Sequence, residues 1–157
     1  MIMKNTKQGE YFFLSNFYPC DITIDINGKS LTFHSVEAAF QAQKNYDLAD
    51  KFIFLKPPEA KKLGKEIPIT TANWNVERLY VMGKALHQKF KSLQLMTKLI
   101  AVTEPIVEDN YWGDTFWGRY KNEGKNMLGR MLSNIRENNN DWGSLEYLIK
   151  SELIPEL

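Results

Sequence analysis

Apolar and polar residues alternate over Ile22 to Ile26, and β-forming residues gather again over Ser30 to Phe33, on either side of Asn27-Gly28. That dipeptide is the pair preferred in a type I′ turn, so the segment predicts a tight antiparallel hairpin near the front of the chain. From Ser35 the period lengthens. Ser35 suits an N-cap, and Val36, Phe40 and Gln43 follow at helical spacing to about Asn45. Lys56-Pro57-Pro58 breaks the pattern, and Pro58 fits the first turn of a short lysine-rich helix through Leu63. Trp74 to Phe90 sets Leu79, Met82, Leu86 and Phe90 on one face, and Leu93, Met96, Leu99 and Ile100 continue the theme after a short interruption. Met127, Leu128, Met131, Leu132 and Ile135 form another stripe, opened by Asn126, and Asn138 to Asn140 reads as a polar turn before a last helix. No repeat, low-complexity stretch or linker divides the pattern. The expected fold class is α+β, a predominantly helical single domain over residues 1–157 with a small antiparallel N-terminal β-hairpin.

Composition narrows the functional classes. A chain of 157 residues with ordinary apolar and charged fractions can bury one sizeable core. Its formal net charge of +1 argues against a dedicated nucleic-acid scaffold but leaves room for a local basic pocket. Cys20 stands alone, which excludes an internal disulfide framework and points to a reducing compartment. Residues 1 to 20 lack a basic segment followed by an apolar core, and no run approaches membrane-spanning length, so a cytoplasmic protein with no membrane association is expected. His34, His87 and Cys20 have no zinc-type spacing, and neither a metal nor a cofactor is expected. G-x-S-x-G, G-x-x-x-x-G-K-[ST] and strand-linked G-x-G-x-x-G patterns are missing, which removes the main support for serine hydrolase, P-loop and dinucleotide readings.

Two segments carry candidate chemistry. Between Tyr111 and Arg136, Trp112 and Trp117 offer flat faces to a base or ribose, with Gly113, Asp114 and Gly118 around them. Lys125 and Asn126 then open a helix whose free N–H groups suit a phosphate. In HSVEAAFQAQK, Glu37, Gln41 and Lys44 fall on one polar stripe beside Val36 and Phe40. Glu37 and Lys44 are separated by roughly 10 Å along a helix axis and would meet through a ligand rather than as an i,i+4 pair. A carboxylate in the first turn is favoured in its ionised form, suiting a base, nucleophile or stabiliser of an oxocarbenium-like sugar, with Asp114 as a second acidic group. The alternative reading makes the tryptophans core, Asp114 a turn residue, Asn126 a cap, Glu37 a partner of the helix dipole and Lys44 a solvated side chain.

The ordered set FLSNFYPC, HSVEAAFQAQK, IPITTANWNVERLYVM, YWGD and GKNMLG resembles the YbiA-like family, also called NADAR, from about Tyr11 to Arg136. The resemblance implies an N-glycosidase acting on a small phosphoribosyl or ADP-ribosyl substrate. One branch cleaves phosphoribosylamino-pyrimidine intermediates of the riboflavin pathway and releases ribose 5-phosphate. Another removes ADP-ribose from guanine in nucleic acid, with the lysine matching Lys44 implicated through an imine at the sugar C1. A module that binds ADP-ribose without turnover is the alternative outside enzymology. On this reading Glu37, Lys44 and Asp114 are the catalytic candidates. Ser15, Asn16, Phe17, Gln41, Trp74, Arg78, Trp112, Gly113, Trp117, Gly118, Lys125 and Asn126 are the substrate-binding candidates. Lys61, Lys62 and Lys65 read as a solvated helix face, with attraction of a diphosphate or nucleic acid as the alternative. The chain departs from the family at Phe116, Trp117 and Tyr120, where many members are richer in glycine, and at Asn73, where some carry an acid.

Overall fold

The computed structural model describes residues 2–4, as backbone, and 9–154. In chain order the elements are β1 (Ile2–Lys4), a 3₁₀ turn (Phe12–Leu14), β2 (Ile22–Ile26), β3 (Lys29–Phe33), α1 (Val36–Ala42) and a 3₁₀ stretch (Tyr46–Phe52). There follow α2 (Pro57–Glu66), α3 (Trp74–Lys89), α4 (Leu93–Ala101), β4 (Val107–Asn110), β5 (Arg119–Tyr120), α5 (Met127–Glu137) and α6 (Trp142–Leu153). The protein is thus predominantly helical with a small antiparallel hairpin. Its chain forms two compact units, a central one over Asn16–Lys89 and a terminal one from the chain before Asn16 and from Phe90 onward.

In the central unit, β2 and β3 pair antiparallel with Ile22 opposite Phe33 and Ile26 opposite Lys29. Asn27 and Gly28 take φ of 52° and 79°, the two positive angles that the type I′ turn requires. Ile22, Ile26 and Phe33 are buried. Ser35 caps α1, its Oγ accepting from Ala38 N at 3.0 Å. Every residue from Val36 to Ala42 is buried, so α1 is an enclosed helix, packed against α2, α3 and the 46–52 stretch. It closes three residues before Asn45, because Gln43 N and Lys44 N donate to Phe40 O and Gln41 O in a tightened final turn.

In the terminal unit, β1 pairs parallel to β4 and β4 parallel to β5. The hydrophobic pattern gave no sign of this sheet, since strands of three, four and two residues are too short to display a period of two. α4 is capped by Ser92 and α6 by Asp141. The stripe of Met127, Leu128, Met131, Leu132 and Ile135 is buried, and α5 packs on α6, α4 and β4. A side chain at Gly129 would strike the Ile106 carbonyl, so glycine there lets α5 approach the backbone before β4.

Candidate functional site

In the central unit the family-type helix brings Glu37, Gln41 and Lys44 to one place. The Glu37 N–H, unpaired in the first turn of α1, donates to Asn16 O at 3.0 Å and so ties the LSNF loop to the helix start. Glu37 is 8% exposed, and its Oε1 accepts from Gln41 Nε2 at 2.9 Å. Burial pushes the carboxyl above its ordinary range, with the Gln41 hydrogen bond and the charges of Lys61, Lys44 and Lys65 pulling the other way. The shift runs against the expectation that the helix start favours the ionised form, because desolvation outweighs the Gln41 hydrogen bond and the lysine charges.

Lys44 lies just past α1 and is half-buried. Its Nζ donates to Gly64 O at 3.3 Å. Burial lowers its pKa, opposed by Glu37 and assisted by Lys65. Gly64 of α2 serves this arrangement twice. Its carbonyl holds Lys44, and its missing side chain makes room for Gln41, whose Oε1 a Cβ would strike. A glycine within a lysine-rich helical stretch was the available signal. Asn16 Oδ1, Gln41 Oε1 and Asn45 Oδ1 are buried without hydrogen-bond partners among the described residues. Such acceptors are uncommon in a finished core and mark a place where a ligand donor is useful.

Elsewhere in the central unit, Trp74 is half-buried and tilts against Phe40 of α1 with ring centroids 5.3 Å apart. Arg78 Nε donates to Asn75 O at 3.3 Å. Phe17 lines a surface cavity of about 260 Å³ with His34, Phe54 and Lys56. Asn73, the departure from the family, has φ of 54°, and its carbonyl accepts from Val76 N and Glu77 N at the start of α3. Asn suits that left-handed backbone position.

The remaining candidates belong to the terminal unit. Ser15 ends the 3₁₀ turn, its N–H donating to Phe12 O at 2.9 Å. Asp114 organises a loop: its Oδ1 accepts from Phe116 N at 2.9 Å and Trp117 N at 3.0 Å. Asn110 clasps the same residue, accepting from Asp114 N and donating to Asp114 O and Arg119 O. Exposed Trp112 meets Tyr111 edge to face at 5.1 Å, and half-buried Trp117 meets Phe116 at 4.8 Å. Gly113 takes a φ of 89°. Gly118 is pressed against the Glu108 carbonyl.

The phosphate expectation at Asn126 is corrected by the backbone. Lys125 N, Asn126 N, Met127 N and Leu128 N donate to Thr115 O, Gly118 O, Phe116 O and Trp117 O, so the donors are consumed by the preceding loop. Asn126 has φ of 52° and makes no side-chain cap. Its buried amide accepts from Glu108 N and donates to Ile106 O, both at 2.9 Å. Lys125 is ion-paired with Glu152, which also binds Arg130 at 3.3 Å. Sequence reasoning gave Asn110 and Glu152 no part, and neither carries a local pattern that distinguishes it from a surface polar residue.

Comparison with known proteins places these observations in a family. A family model described as the NADAR domain matches residues 3–138. N-glycosidase YbiA of Escherichia coli is 34% identical over 139 residues, covering 82% of this chain and 81% of that protein. A riboflavin biosynthesis protein of Vibrio vulnificus is 31% identical over 131 residues. That match covers 80% of this chain but 35% of the Vibrio protein, so the chain spans about a third of its length. The NMR structure of the E. coli protein YbiA superposes with a TM-score of 0.71 at 29% identity, covering 88% of this chain and 83% of that one.

Proposed function

The chain belongs to the NADAR domain family, and from that premise we propose that it is an N-glycosidase that hydrolyses the bond between a base nitrogen and C1 of a phosphoribosyl or ADP-ribosyl group. The observation that carries this reading is the opposite displacement of two groups at α1. Burial holds the Glu37 carboxyl towards its protonated form and the Lys44 amine towards its neutral form. Both shifts run in the direction that an acid and an amine nucleophile require.

In the proposed reaction, neutral Lys44 bonds to C1 while the C1–N bond breaks. The electron pair leaves with the base nitrogen, which takes the Glu37 proton. The Glu37 carboxylate then accepts a proton from the new ammonium and passes it to the ring oxygen as the sugar opens to an imine. Water adds to C1, giving its proton to Glu37, and collapse of the adduct returns the free amine and releases the sugar. The orphaned acceptors of Asn16 and Gln41 suit the sugar hydroxyls as hydrogen-bond donors. Asp114 is assigned a positioning part, through the loop that carries Trp117.

Among substrates, the relative named for riboflavin biosynthesis supports a phosphoribosylamino-pyrimidine, with release of an amino-pyrimidine and ribose 5-phosphate. The test is base release, followed by mass spectrometry, from that intermediate, from ADP-ribosylated guanine DNA and from free NAD. Release from the pyrimidine compound that falls by on the order of 10²- to 10⁴-fold in Glu37→Ala supports the reading. Release from guanine alone transfers the substrate assignment to nucleic acid. Tight ADP-ribose binding with no release from any of the three overturns the enzyme assignment in favour of a recognition module.

A further inference from the structure

The terminal unit carries a surface cavity of about 520 Å³ whose wall includes Arg119 of β5, Arg130 and Arg136 of α5 and a single carboxylate, Glu137. The three arginines are not equivalent. Arg136 is committed to structure, its Nη1 donating to Val102 O at 2.7 Å and Glu104 O at 2.8 Å while Nη2 lies 3.5 Å from Glu137. It therefore pins the chain between α4 and β4 and neutralises Glu137. Arg130 is held through Nη1 by Glu152, a carboxylate already shared with Lys125, so the positive charge around it is only partly balanced. Arg119 is exposed, and its side chain has no hydrogen bond or ion pair among the described residues. Its backbone, by contrast, is fixed by pairing with β4 and by the Asn110 amide on its carbonyl. Asn134, on the same wall, has a buried Oδ1 without a partner.

We propose that this cavity binds a small molecule through a phosphate or diphosphate group. A guanidinium presents planar, paired donors that match such oxyanions, and Arg119 brings a complete set on an anchored backbone. Arg130, only partly balanced by Glu152, adds a second cation to the wall, while Arg136 holds the backbone that shapes it. The volume falls within the range of roughly 300–1,000 Å³ typical of small-molecule sites. The proposal does not rest on the Glu37 and Lys44 chemistry.

The test is a titration of the whole chain with inorganic pyrophosphate at constant ionic strength, followed by two-dimensional amide NMR. Saturable shifts centred on residues 103–107, 119, 126, 130–137 and 148 are expected. Arg119→Ala, whose own spectrum reports its fold, should weaken binding by about tenfold or more, the loss of a charge-assisted contact. No saturable shift at millimolar pyrophosphate, shifts centred on other residues, or an unchanged affinity in Arg119→Ala would overturn the proposal.

Discussion

A carboxyl in the first turn of a helix ordinarily gains from the dipole, yet Glu37 is enclosed with the whole of α1, and the cost of removing its charge from water is the larger effect. The sign of the consequence is fixed. Its folded pKa lies above the ordinary value of 4.5, so below that value both folded and unfolded states hold the proton. As pH rises beyond it, the unfolded state releases the proton first and the folded state loses ground. Glu37→Gln keeps the acceptor for Gln41 without the charge. Its melting temperature should match the parent near about pH 4 and exceed it by a few degrees near about pH 8. Equal melting temperatures at both pH values would remove the burial argument. Asp114→Asn also keeps the Oδ1 that accepts from Phe116 N and Trp117 N, so turnover within a fewfold of the parent is expected. A fall of about a hundredfold in kcat would instead give that carboxylate a part in the chemistry. Asn126→Ala strips a part-buried hydrogen bond from Glu108 N and a buried one from Ile106 O, and leaves a residue of left-handed φ without its amide. A loss of about 2–4 kcal/mol in denaturant unfolding is expected.

At the scale of elements, α1 and α2 form the candidate site by close approach at Gly64. Gly64→Ala would force Gln41 aside, breaking its bond to Glu37 and disturbing the carbonyl that holds Lys44. Turnover should fall by tenfold or so, with a stability loss of about 1–3 kcal/mol; full turnover would show that Gln41 placement is unimportant. The legible parts of the fold were those with strong local chemistry. Asn27-Gly28 specified its turn, Ser35 its cap, and the Met127 to Ile135 stripe its buried face. The sheet of β1, β4 and β5 was not legible because it rests on pairings between distant short segments. In the site, Glu37, Gln41 and Lys44 could be placed together from helical spacing, but their protonation could not, since burial is a property of what packs around α1. Asn126 misled for a related reason: an Asn before a helical stripe has the composition of a cap, while its carbonyl partners come from residues 106–118.

For the whole molecule, a near-neutral chain combines two kinds of local charge. In the central unit burial raises the Glu37 pKa and lowers that of Lys44, and the terminal unit displays an arginine-lined cavity on its surface. One family model spans residues 3–138 and hence parts of both units, and the candidate residues divide between them, with Glu37, Gln41 and Lys44 in one and Asp114, Trp117 and Asn126 in the other. The proposed bond-breaking chemistry belongs to the first group. Its most direct test is to add borohydride during turnover of the phosphoribosylamino-pyrimidine and map any reduced sugar adduct by peptide mass spectrometry. An adduct on Lys44, with base release lost in Lys44→Ala, is the expected result. Base release that persists in Lys44→Ala with no adduct on the parent protein would contradict it.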